Sequence, residues 1–131
     1  DVVRKALELL KVDYIVTGGS LLGAIRQHSI LFCDDDIDIA IVDPNDEQTP
    51  SIYESTILPN LQSALDQVAN EQASLTQTEP RKYVYQVKPW EGGDRIRSKR
   101  YSNVFLDLFV LRKYPTLQSF VSVIGTTSRK I

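Results

Sequence analysis

Residues 34–42 read DDDIDIAIV, and the reading of this stretch decides the rest of the chain. From Asp36 onward, acids and isoleucines alternate until Pro44, the period of a β-strand with two different faces. Ile37, Ile39 and Ile41 then share one face, and Asp36, Asp38 and Ala40 share the other. On such a strand the Cα atoms of Asp36 and Asp38 stand about 6.5–7 Å apart. Two carboxylates at that spacing can jointly hold a hard divalent cation through oxygen, and a solvated acidic turn is the ordinary alternative. A calcium-binding EF-hand loop starting at Asp34 does not fit: Ile39 stands where glycine is required and Asn45 where an acid is required.

Working outward, the residues before the acidic strand give a second signal. DYIVTGG at 13–19 reads as a short strand ending in two glycines, and SLLGAIRQH at 20–28 as a short helix with Ser20 as its N-cap. A strand that turns through Gly18, Gly19 and Ser20 into a helix presents backbone N–H groups where the helix dipole favours phosphate. Arg26, on the same helix, can pair with a phosphate. Taken alone, the glycine pair is equally an ordinary capped turn.

The third signal lies in NVFLDLFVL at 103–111, read as a strand. Asp107 stands among Phe105, Leu106, Leu108 and Phe109, where a charge must be ion-paired, metal-bound or protonated. A salt bridge to a nearby cation is the plain structural explanation. RIRSKRY at 95–101 supplies those cations and reads as a solvated loop or as a contact for a polyphosphate.

The remaining elements are read more briefly. A helix is expected over 1–11, a loop over 43–50, and a helix from about Ser51 to Glu71 in which Pro59 breaks or bends the chain. A loop at 74–80, a strand at 81–90 and a turn at 91–94 follow, and 116–125 fits helix or strand equally. The expected fold class is α/β (α+β), a small mixed sheet flanked by helices.

Composition bounds the possibilities. The chain has 131 residues, enough for one compact domain but not two. A net charge of −2 provides no field to attract nucleic acid, and no apolar run reaches membrane-spanning length. Cys33 is the only cysteine, so no internal disulfide forms, and methionine is absent even at position 1. Residues 1–131 are therefore expected to be a single domain of a longer parent protein.

The order of these signals resembles the nucleotidyltransferase fold of the DNA polymerase β superfamily. More narrowly, GGSLLGAIRQHSILFCDDDIDIAIV resembles the signature block of the LicD family, which includes fukutin and fukutin-related protein, and FLDLFVL resembles that family's later Asp-hydrophobic strand. The close match covers about 14–42 and 104–111. The chain departs where the family usually carries Pro-Trp before the acidic run and this sequence has Phe32 and Cys33, which bears on the acceptor more than on the metal site. The resemblance implies a metal-dependent phosphotransferase that moves a phospho-alcohol, such as phosphocholine or ribitol phosphate, from a CDP-linked donor to a hydroxyl of a glycan or glycolipid.

Carried over residue by residue, the resemblance makes Asp36 and Asp38 the pair that binds Mg²⁺ or Mn²⁺. Asp107 becomes the third carboxylate, completing a second metal site or taking the acceptor's proton. Gly18, Gly19, Ser20, Gly23 and Arg26 form the nucleotide and phosphate turn. The roles of Asp34 and Asp35 stay open. A fukutin-like parent implies the Golgi lumen and a bacterial LicD-like parent the cytoplasm. Within the same fold, a nucleotidyltransferase that releases pyrophosphate is an alternative, as is a nucleotide-binding module without turnover.

Overall fold

The computed structural model describes residues 1–46, 48–76, 84–101, 103–114 and 119–123. The element order is α1 (Val2–Leu9), β1 (Tyr14–Val16), α2 (Gly18–Gln27) and β2 (Asp36–Asp46), then a π-helical turn (Tyr53–Ile57) that runs into α3 (Leu58–Leu75). Four strands close the order: β3 (Tyr85–Trp90), β4 (Gly93–Ser98), β5 (Phe105–Tyr114) and β6 (Ser119–Val123). The expected class holds: this is a mixed α/β fold with one six-stranded sheet in the order β1-β2-β5-β4-β3, with β6 also pairing with β5. Among the described residues only β2 and β5 pair in parallel, and their register sets Asp38 directly beside Asp107.

One face of the sheet is the core. Ile39 and Ile41 of β2, Ile96 of β4 and Leu108 of β5 pack against α1 and α3, where Leu7, Leu61 and Leu65 are fully buried. Each such leucine contributes about 2 kcal/mol through removal of its apolar surface from water. The alternation in β2 therefore sorts as its sequence requires, Ile39 and Ile41 packed toward the helices, Ile37 exposed at the start of the strand, and Asp36 and Asp38 toward the other face. Among the described residues, no helix is long and apolar enough to cross a membrane.

Several boundaries differ from the sequence reading. The chain runs through Pro44 as part of β2, where a loop was expected from Asp43. The pairing with β5 shifts register between Asp43 and Asp46, so the missing N–H of the exposed Pro44 falls where no ladder bond is made. Pro59 stands in the first turn of α3, just after the π-helical turn, so the chain stays helical across it while the helix type changes there. The first helix stops at Leu9, and α3 extends to Leu75, into the expected loop. The segment 91–94 turns at 91–92 only, with β4 beginning at Gly93.

The largest correction concerns 95–98, expected to lie in a solvated loop and found in the middle of the sheet as β4. The ambiguous 116–125 contains a strand over 119–123, and its other residues lie outside the described ones, as do 77–83 of the expected loop and strand.

Candidate active site

On the face of the sheet opposite the helical core, the carboxylate oxygens of Asp36, Asp38 and Asp107 lie within 4.8 Å of one another. Parallel pairing of β2 with β5 brings this about: residues 36 and 38 point the same way along one strand, and Asp107 joins them from the next. The carboxylates of Asp34, Asp35 and Asp36 form a second group on the same distance criterion. Asp35 is exposed, Asp34 and Asp36 are half-buried, and Asp107 is buried.

The glycine turn meets this cluster directly. Asp38 is tied to it three times: its carbonyl accepts the Thr17 N–H at 3.0 Å, its own N–H donates to Ser20 Oγ at 2.9 Å, and its carboxylate accepts the Gly19 N–H. The carboxylate thus stands at the positive end of α2, where it does the work of a capping residue. This corrects the expected cap. Thr17 precedes the helix without a side-chain cap, and Ser20 lies inside the first turn, buried and facing β2.

Gly18 has φ +56°, and a Cβ there would stand 2.5 Å from Asp38 Oδ2, so both backbone and space require glycine. A Cβ on Gly19 would collide with Asp34 Oδ2. The two glycines therefore give two carboxylates their room.

The other residues assigned to the phosphate turn are placed differently. Gly23 packs against the Ser29 carbonyl and Leu31, which accounts for glycine there by close approach of helix and connector. Arg26 lies in the last turn of α2 and is exposed, eight residues from Gly18 and so about 12 Å along the helix. The structure does not bring Gly23 or Arg26 together with the carboxylates.

Asp107 is not free. Arg95 donates through Nε to Oδ1 at 2.5 Å and through Nη2 to Oδ2 at 2.8 Å, a bidentate pair. The ordinary explanation of Asp107, a salt bridge, is thus realised in the same place as the convergence with Asp36 and Asp38. The segment 95–101 is expected from the sequence to supply such a cation, and the structure singles out Arg95 among its four. The clue was the pattern of GDRIRS at 93–98, where Arg95 and Arg97 alternate with Asp94, Ile96 and Ser98.

Crowded carboxylates resist ionisation. Burial pushes Asp36 up to about 6, helped by a hydrogen bond with Asp34 and by the charges of Asp38, Asp34 and Asp107. Asp38 is also raised, first by burial and then by Asp107 and Asp34, against the opposing Gly19 N–H. The contact with Asp34 is a hydrogen bond only while a proton is shared, and repulsion otherwise.

This has a sign for stability. A raised native pKa means that the folded protein holds protons that the unfolded chain has released. The site's stabilising contribution is complete below pH 3.8, the ordinary aspartate value, and is lost as pH rises through about 6. Asp36→Asn is therefore expected to raise the melting temperature of the metal-free protein at pH 7.5 and to leave it little changed at pH 4. A difference from wild type that stays constant over this range would contradict the assignment.

Oxygen donors of this kind suit a hard divalent ion. Asp34 Oδ2 adds a further sign of fit, because it is buried and no hydrogen-bond partner reaches it among the described residues. Together with Asp36 and Asp38, it gives a set of acids whose mutual repulsion a cation relieves.

Comparison with known proteins identifies the family of the chain. The profile of the LicD/FKTN/FKRP nucleotidyltransferase domain matches residues 11–126 of the 131. A comparison with curated proteins gives no match.

Proposed function

Since the chain belongs to the LicD/FKTN/FKRP nucleotidyltransferase-domain family, a family of transferases, we propose that it moves a phospho-alcohol from a CDP-linked donor to a hydroxyl on a glycan or glycolipid. The observation that carries this reading is the meeting of Asp36, Asp38 and Asp107 beside the glycine turn. In it, Asp36 and Asp38 hold Mg²⁺ or Mn²⁺, and Asp107 borders them as the third carboxylate. A bound divalent ion would neutralise the donor diphosphate and the charge that develops on the transferring phosphoryl group.

The protein's own part is positioning and charge. Asp38 is fixed by its contacts to Thr17, Gly19 and Ser20, so its carboxylate needs little reorganisation before reaction. The glycine turn keeps side chains away from the same place. The acceptor oxygen forms a new bond to the phosphorus that carries the alcohol. The bond from that phosphorus to the bridging diphosphate oxygen breaks, CMP leaves, and the hydroxyl proton passes to water or to a carboxylate of the cluster.

The released product tests the reading. With CDP-choline or CDP-ribitol, a glycan acceptor and Mg²⁺, the expected products are CMP and a phosphodiester on the acceptor. Release of pyrophosphate from CTP, with the nucleotide left on the acceptor, would replace this reading with nucleotidyl transfer. Metal-dependent binding of CDP-alcohols without any product would mark a binding module.

A further inference from the structure

Beyond the pair of metal ligands, the site contains a cation of its own. Arg95 engages both oxygens of Asp107, and the side chains of the two residues are only 19% and 3% exposed. The guanidinium also lies over two aromatic rings. Its Cζ lies 3.9 Å from the Phe105 ring centroid and 4.5 Å from that of Trp90. Trp90 is braced in turn by the edge of Phe109, at 6.4 Å between centroids. These rings come from β3 and β5, on either side of the strand that carries Arg95, so the side chain cannot swing away without losing two stacking contacts and a bidentate ion pair.

We infer that Arg95 is a positioning residue whose guanidinium takes the place a second cation would need at Asp107, so that the acidic site accepts one divalent ion instead of two. This rests on the reading of Asp36 and Asp38 as metal ligands. A second ion could reach Asp107 only by displacing the guanidinium and leaving a buried positive charge without its partner, which is strongly unfavourable. Arg95 keeps its charge at any working pH, and that charge also repels an incoming dication. Arg95 thereby neutralises Asp107 permanently, leaving Asp36 and Asp38, with Asp34 beside them, for the single ion.

The test counts bound Mn²⁺ by the paramagnetic resonance signal of the free ion, using Mn²⁺ alone and the full chain. Wild type is expected to bind one ion, Arg95→Met two, and the Arg95→Met/Asp107→Asn double variant one again. The double variant, which removes both charges of the pair, is also expected to keep the first ion with less than a threefold change in affinity, which decides the matter should Arg95→Met fail to fold. Two ions in wild type, one in folded Arg95→Met, or a tenfold loss of affinity in the double variant would overturn the inference while leaving Asp36 and Asp38 as ligands. No bound ion in any of the proteins would overturn the inference and the metal reading together.

Discussion

Asp36→Asn or Asp38→Asn is expected to lower transfer on the order of 10³-fold or more, at unchanged secondary structure. Asparagine keeps the shape of the side chain and removes the charge that would attract a dication. The loss is expected to persist at high Mg²⁺ and to come with no fall in melting temperature at neutral pH. Asp36 in particular is held ionised against burial and the neighbouring charges of Asp34, Asp38 and Asp107. A protein made more stable by the substitution that inactivates it separates a site residue from a structural one. Transfer within tenfold of wild type, at the same metal dependence, would remove these two aspartates from the mechanism.

Asp43→Ala is expected to do the opposite, destabilising the fold without touching the ion. Asp43 is fully buried on the helical side of the sheet and accepts three hydrogen bonds: from Ser51 Oγ at 2.7 Å, from Asn45 N at 3.0 Å and from Tyr53 N at 3.3 Å. These contacts join the irregular end of β2 to the π-helical turn that leads into α3. Alanine leaves the donors without an acceptor in a buried place, at about 3 kcal/mol, or roughly 10 °C in melting temperature for a domain of this size. Mn²⁺ affinity is expected to stay within twofold of wild type. An unchanged melting temperature would show that water replaces the carboxylate at no cost.

Asp43 also shows what the sequence could not convey. The strand at 36–42 was legible because its isoleucines fall on one face and its acids on the other, and the same alternation placed Asp36 and Asp38 together. One position later, Asp43 points inward with the isoleucines, and an acid followed by proline looks like the start of a loop. β4 was hidden by the same kind of substitution. Asp94 faces the core, where it accepts the Tyr53 hydroxyl at 2.7 Å, so only Ile96 remained as an apolar mark of the inward face. Asp94 is satisfied by a tyrosine 41 residues away and Asp43 by the turn that follows it, two to ten residues on, and no local pattern announces either.

The glycine turn was legible as a turn, while its immediate partner was not. Gly18 and Gly19 border carboxylates of this chain, and Asp38 supplies the helix cap that was expected from Ser20. Arg95 could not be singled out among the cations of 95–101 because β4 was hidden. With β4 read as a loop, the arginine had no fixed place, and the register that sets it opposite Asp107 is a property of the assembled sheet.

The central claim is that Asp36 and Asp38 hold the divalent ion that a CDP-linked donor requires. The most direct measurement is an anomalous difference map from crystals grown with Mn²⁺ and CDP. The account expects one peak, bridged by the carboxylates of Asp36 and Asp38 and touching the diphosphate, with Arg95 still on Asp107. A map without a peak at these two aspartates, with CDP bound elsewhere on the molecule, would contradict it.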